Sequence, residues 1–297
     1  MEKPVVLGID IGGSHITAAL VDLDTRTIVP GSGKRKSVNA QDQAENIFDS
    51  WCTVISEAFE TLDVKEKKIG IAMPGPFDYE TGVSLIQDQD KFKSLYKLNL
   101  KNEIADRLAI DAESIRFIND AASFLQGEQF GGAARGYNNV IGLTLGTGLG
   151  SAVCFNGTAE DADLWNSPFK DGIAEDYLSS RWFTTRFEEL TGEKAEGVKE
   201  ILQMIEHSTP IKQLFTEFSR NLAAFLVPLV QKHGSEVIVV GGNISNASER
   251  FVPELLACLS AAEVFAEVRI ANLKEDASLI GAASCWENDY SKNHMNL

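Results

Sequence analysis

The chain has 297 residues, 44% of them hydrophobic and 24% charged, and a formal net charge of −16. That length suffices for two modest domains or one large one with a full core. The acidic balance excludes a general nucleic-acid binder, which needs a basic surface, and no stretch approaches the roughly 18 apolar residues needed to span a bilayer.

Met1-Glu2-Lys3-Pro4 runs straight into a strand-like segment, without the basic and apolar regions of an export signal. A cytoplasmic protein is expected. Cys52, Cys154, Cys258 and Cys285 are scattered, with no CxxC or CxC pair, so neither a zinc knuckle nor a redox pair is signalled. Half-buried thiols in a reducing compartment are the expectation.

In chain order, residues 5–9 (VVLGI) read as a buried strand, Asp10-Ile11-Gly12-Gly13-Ser14 as a turn, and Ile16 to Val21 as the returning strand. Glycine permits positive φ and close backbone approach, so the pattern is a hairpin with a ligand at its tip. The polar stretch Gly31 to Lys36 reads as an exposed loop. Ala44 to Leu62 carries apolar residues at helical spacing. Lys65-Glu66-Lys67-Lys68 reads as a solvated loop before a strand at Ile69.

In mid-chain the hairpin pattern returns. Val140 to Leu145 is the strand, Gly146-Thr147-Gly148-Leu149-Gly150 the turn, and Ser151 to Phe155 the return, with Asn156-Gly157 making the next turn. One such unit in each half suggests two similar domains. Ile211 to Leu229 reads as a long helix, with Pro228 kinking its end. Glu236 to Val240 is a buried strand entering Gly241-Gly242-Asn243, and Ala277 to Glu287 is the last helix. Strands alternating with helices make an α/β fold.

Four motifs can carry chemistry, and each has a plainer reading. At the first tip Asp10 can hold Mg²⁺ through water, and the backbone N–H groups and the Ser14 hydroxyl can face a phosphate; the plainer reading is a Gly-rich hairpin. Gly146-Thr147-Gly148 adds a second hydroxyl. It is no P-loop, because no Lys follows, and a poor dinucleotide fingerprint, because a strand follows. Gly241-Gly242-Asn243 lets the backbone pass under a flat ring such as adenine, or is a tight strand-to-helix turn. Asn119 and Asp120 leave the end of a strand and open a helix. Together they can grip two hydroxyls, with Asp120 accepting a proton as one attacks phosphorus, or they are a helix cap.

Their conjunction resembles the ROK family of bacterial sugar kinases and sugar-responsive repressors, within the hexokinase–actin–Hsp70 fold. The resemblance rests on LGIDIGGSHITAALVD, GIAMPGPFDYETG, FINDAASFLQGE, LTLGTGLGSAV and VIVVGGNIS, in that order. It implies a two-domain actin-like (ribonuclease H-like) α/β fold with mixed sheets and an interdomain cleft. The expected domains are 1–116 with 283–297, and 117–282. It implies ATP-dependent phosphorylation of a hexose or related sugar, with ATP and Mg²⁺, and a homodimer. Asp10, Gly12, Gly13 and Ser14 would meet the phosphates, with Asp10 on Mg²⁺ through water. Gly146, Thr147 and Gly148 would form the second phosphate loop, and Gly241, Gly242 and Asn243 would line the adenosine site. Asn119, Asp120 and Glu175 would hold the sugar, with Asp120 as the base.

Two departures stand out. Ser14 replaces the family's usual Thr, keeping the hydroxyl. After Asn156-Gly157 many relatives carry a Gly-Glu-x-Gly-His stretch and a zinc-binding CxCGxxGCxE cluster. Here Thr158 to Pro168 is shortened, with no His and no Cys, and only the cluster's end persists as Gly172 to Ser179. That places Glu175 at the family's sugar-binding glutamate. No structural zinc is expected, and packing of Trp165 and Phe169 is expected to order the loop. Gln87 and Asp88 lie in a region that reaches the sugar in relatives. His15, His207, His233 and His294 show no ligand spacing and are expected to be surface or satisfied residues. The alternatives are a sugar-sensing repressor, which the early first hairpin and the negative charge oppose, and a catalytically silent sugar binder.

Overall fold

The computed structural model describes residues 4–87, 91–204 and 209–294, the last four in backbone only. His207 and Asp88 fall outside the described residues. In chain order the elements are β1 (Val5–Ile11), β2 (His15–Asp22), β3 (Thr27–Ile28), β4 (Lys34–Ser37), α1 (Ala44–Phe59), β5 (Ile69–Met73), β6 (Phe77–Asp78), β7 (Val83–Ser84), α2 (Leu100–Leu108), β8 (Ile115–Asn119) and α3 (Asp120–Gly131). Then follow β9 (Val140–Leu145), β10 (Leu149–Phe155), β11 (Thr158–Asp161), β12 (Pro168–Phe169), β13 (Gly172–Ile173), α4 (Ala174–Leu178), α5 (Ser180–Thr191), α6 (Val198–Met204) and α7 (Thr209–His233). The chain closes with β14 (Val237–Gly241), α8 (Ser248–Ala261), β15 (Glu267–Ile270), α9 (Asp276–Ser284) and α10 (Glu287–His294). Among the described residues no helix is long and apolar enough to cross a membrane.

The chain divides into two compact units, Met1–Arg135 with Glu275–Leu297, and Gly136–Lys274. The divide therefore follows α3 and precedes α9, where the sequence suggested residues 116 and 283. The reason is packing. Helix α9 lies on β1 and β5 so closely that a Cβ on Gly8 would come 2.0 Å from the Leu279 carbonyl oxygen. A Cβ on Gly281 would come 1.9 Å from the carbonyl oxygen of Ser123 in α3. Small residues at this junction bind α3, α9 and the first sheet into one core, and real interiors leave no slack for an added carbon.

The two sheets repeat one plan. In the first unit the order is β3-β2-β1-β5-β8, with β4 also on β2. β1 pairs antiparallel with β2 and parallel with β5, which is parallel to β8. In the second unit the order is β11-β10-β9-β14-β15, and the directions match: β9 is antiparallel to β10 and parallel to β14, which is parallel to β15. This mixed α/β plan is that of the actin-like ATPases. Parallel central strands are covered on both faces, which is why β5 and β14 are buried at every residue.

Three local expectations change. Residues 34–37 form strand β4 rather than loop, because the edge of β2 offers them a ladder. α7 continues through Pro228 to His233. The last helix is two, parting after Ser284, where Trp286 turns inward and its indole N–H donates to the Ile69 carbonyl at 3.0 Å.

Candidate active site

In the first unit two carboxylates emerge from the C-terminal ends of parallel strands. Asp10 is near the end of β1, opposite Ala72 of β5. Ala72 in turn pairs with Ile118 of β8, two residues before Asp120. Ligands of open α/β sheets collect at this edge. Asp10 is half-buried and its carboxyl is raised to about 6, by burial first and then by the Asp120 charge, while Arg35 pulls it down. Asp120 is exposed at the first position of α3, where a helix N-terminus favours negative charge.

Asn119 is committed more deeply. It is buried, and its side-chain oxygen accepts the N–H groups of Ala121 at 2.8 Å and Ala122 at 3.0 Å, capping α3. Its amide donates to the Tyr79 hydroxyl at 3.2 Å, and that hydroxyl donates to the Met73 carbonyl at 3.0 Å. The helix-cap reading thus holds for Asn119, and it aims the next residue, Asp120, outward.

The hairpin tip differs in one detail from the expectation. The Gly12 N–H donates to the His15 carbonyl at 2.9 Å and so serves the turn. Gly13 and Ser14 are exposed. Two residues here carried no signal in the sequence. His15 sits between the Ser14 hydroxyl, 2.9 Å from Nδ1, and the Arg35 guanidinium, 2.7 Å from Nε2. Lys91 crosses the tip, its Cδ 3.4 Å from where a Gly13 side chain would begin. The available clue was the β2 alternation, which puts His15 and Thr17 on one face, with Thr17 opposite both Asp10 and Arg35.

In the second unit the two glycine motifs meet. Gly241 at the end of β14 pairs with Thr144, beside the Gly146 turn. Gly242 has φ +81°, and a Cβ there would lie 2.4 Å from the Leu145 carbonyl oxygen, so both conformation and space demand glycine. Thr147 and Asn243 are exposed. The Gly146 N–H donates to the Gly148 carbonyl at 3.1 Å, closing the turn, and the Ser180 N–H at the start of α5 donates to the Gly146 carbonyl at 2.7 Å.

Glu175 joins this group. Its Oε2 accepts the Leu149 N–H at 3.0 Å, and Arg181 approaches its other oxygen at 3.9 Å. Main-chain bonds order the loop before it. The Glu175 N–H donates to the Trp165 carbonyl at 3.0 Å, and the Ala174 N–H to the Ser167 carbonyl at 3.0 Å. The Leu164 N–H donates to the Ser151 hydroxyl at 3.0 Å. Phe169 packs edge-on against Tyr177 and Phe225 as expected, but Trp165 stays 44% exposed, its indole N–H held by Asp163 at 2.8 Å. Backbone satisfaction more than aromatic packing therefore sets the loop. A cavity of about 660 Å³ opens between α5 and α7, lined by Lys170, Tyr177, Arg181, Trp182, Arg220 and Asn221 among others, and none of the glycine motifs lines it.

The chain is similar in sequence and fold to known proteins. The chain is 31% identical over 159 residues to a glucokinase of Thermotoga maritima, a match that spans 53% of this chain and 46% of that one. It is 26% identical over 273 residues to an N-acetyl-D-glucosamine kinase of Histophilus somni, covering 80% and 84%. Its fold matches that of a ROK family glucokinase from Streptomyces griseus, solved in complex with glucose and AMPPNP, with a TM-score of 0.71 over 95% and 98% of the two chains and 24% identity. The sequence profile of the ROK family matches residues 6–161 and 170–289. A profile matched over both units, each built on the same strand plan and each bearing its glycine turn, settles the ancestry: the chain belongs to the ROK family.

Proposed function

We propose that this protein is a sugar kinase that transfers the terminal phosphoryl group of ATP to a hydroxyl of a hexose or N-acetylhexosamine. One observation carries the reading: an exposed carboxylate, Asp120, stands at the sheet edge within electrostatic reach of a half-buried one, Asp10. In this reading Asp120 takes a proton from the substrate and Asp10 meets a cation.

The donor set fits Mg²⁺. Both side chains offer oxygen only, and Mg²⁺ is held by one or two carboxylates together with phosphates and water. A carboxyl that burial, and after it a neighbour's charge, keeps hard to ionise gains from a divalent cation. Among the described residues no group of three or more His, Cys, Asp or Glu converges as a cage. When bound, Mg²⁺ neutralises charge developing on the phosphate oxygens.

Asp120 orients the attacking hydroxyl and accepts its proton late, since phosphoryl transfer passes through a loose transition state. Asn119 positions Asp120 by capping α3. In the second unit Gly146, Thr147 and Gly148 serve the phosphates, and Gly241, Gly242 and Asn243 serve the adenosine. Glu175 accepts sugar hydroxyls. The capped strand end and the bonded loop before Glu175 support these roles, because both groups are held before substrate arrives.

The test is ATP consumption over a panel of glucose, mannose, fructose, N-acetylglucosamine and N-acetylmannosamine, with wild type and Asp120→Asn. At least one sugar is expected to drive turnover, and Asp120→Asn to bind that sugar while losing nearly all of it. No turnover with any sugar favours the sugar-sensing or silent alternatives. Full turnover in Asp120→Asn refutes the assigned base.

A further inference from the structure

His15 links a cation to the hydroxyl at the first hairpin tip, and the direction of its hydrogen bonds follows from its partners. Arg35 can only donate. Its Nη2 lies 2.7 Å from His15 Nε2, so Nε2 must present a lone pair. The ring proton then sits on Nδ1, which lies 2.9 Å from the Ser14 hydroxyl oxygen. A ring nitrogen's role is set by the bond that the other nitrogen makes. Ser14 therefore accepts from His15, and its own hydroxyl proton points elsewhere. A serine hydroxyl has one proton, and with Nδ1 donating that proton is not spent on the imidazole.

The sheet holds this relay in place. β2 and β4 pair with His15 opposite Ser37 and Thr17 opposite Arg35. His15 and Arg35 are thus diagonal neighbours on one face, within reach of long side chains. Arg35 is held from the other side by Glu275, 3.0 Å from Nη1. The same Arg35 opposes the rise of the Asp10 carboxyl.

We infer that His15 is a positioning residue for the nucleotide: by donating to Ser14 it keeps that hydroxyl as a donor to a phosphate oxygen of ATP. This rests on the kinase reading above and deepens it. Arg35 holds the histidine's Nε2, and Ser14 makes the contact. The bond it accepts orients and polarises the hydroxyl, so it meets the arriving anion as a donor without reorganising, which is the advantage of a preorganised site.

Two substitutions separate the relay's halves. In His15→Asn the amide nitrogen can take the place of Nδ1 and still donate to Ser14. In His15→Gln the side chain reaches the place of Nε2, accepts from Arg35, and leaves Ser14 without its donor. Calorimetry with AMPPNP and Mg²⁺ reads the effect without knowledge of the sugar, and turnover adds the KM for ATP. His15→Gln is expected to weaken AMPPNP and raise the KM for ATP about tenfold, with kcat and melting temperature near wild type. His15→Asn is expected to restore binding to within about threefold. In a Ser14→Ala background, His15→Gln is expected to add nothing. Wild-type AMPPNP affinity in His15→Gln, equal loss in both variants, or full additivity with Ser14→Ala would each overturn the inference. If Asp120→Asn has meanwhile lost turnover, the kinase reading survives that failure. If wild type fails to bind AMPPNP, both readings fall together.

Discussion

Glu175 and Leu149 are joined by a hydrogen bond of 3.0 Å, carboxylate to main-chain N–H, which ties the expected sugar glutamate to the end of the second glycine turn. The same carboxylate oxygen lies 2.6 Å from where a Gly148 side chain would begin. The turn needs Gly148 to leave room for Glu175. Gly148→Ala should therefore displace a flexible side-chain end and leave the main chain in place. The expected result is a melting temperature near wild type and a KM for the sugar raised roughly tenfold, about 1.4 kcal/mol. Steady-state kinetics on whichever sugar proves active checks it.

Asp10 makes stability depend on pH. Its carboxyl is raised from 3.8 to about 6, so the folded chain holds this proton more tightly than the unfolded chain does. The contribution to stability is fully present below pH 3.8 and is lost as pH rises through about 6. At about 1.4 kcal/mol per unit, the ionised side chain costs the fold roughly 3 kcal/mol at neutral pH, as an upper figure. Asp10→Asn removes the charge. Its melting temperature without Mg²⁺ should exceed that of wild type at pH 8 and approach it at pH 4, while turnover is lost. An equal difference at both pH values would count against the assignment.

Ser151 anchors the loop that leads to Glu175. It is 3% exposed, its hydroxyl accepts the Leu164 N–H at 3.0 Å, and its carbonyl accepts the Ala162 N–H at 2.9 Å. Ser151→Ala leaves the Leu164 N–H without its acceptor, at a cost of about 1–3 kcal/mol. That loss should appear as faster amide exchange across residues 162–168 and a higher KM for the sugar. Exchange elsewhere in the second unit should be unchanged.

Gly281 lies where α9 meets α3. Its added Cβ would be 1.9 Å from the Ser123 carbonyl oxygen and 2.7 Å from the Gly127 nitrogen. Both are backbone atoms, so neither can swing away. Gly281→Ala should cost at least about 1–3 kcal/mol through overpacking, read as a lower melting temperature. Gly33→Ala is the control, because nothing lies within 4 Å of a Cβ there. It should be within about 0.5 kcal/mol of wild type.

The sequence by itself determined the parts whose physics is local. The β1–β2 and β9–β10 hairpins, the helix from Ala44 and the buried strand before Gly241 follow from periodicity and turn chemistry, which act over a few residues. The order of the five motifs was enough to name the family. Only the tertiary structure decided the rest, because those facts depend on residues distant in the chain. β4 is a strand only because β2 has an open edge. α9 belongs with the first unit because Gly8, Gly70 and Gly281 let its backbone approach sheet and helix alike. Asn119 proved to be the buried cap, on the N–H groups of Ala121 and Ala122, while Asp120 stays exposed with its Oδ1 on the Ala121 N–H, a division that adjacent residues of similar propensity cannot express. His15 looked like an ordinary surface histidine until the sheet register brought Arg35, twenty residues on, to its other nitrogen. A hydrogen bond's direction is fixed by both partners, and only the folded chain brings them together.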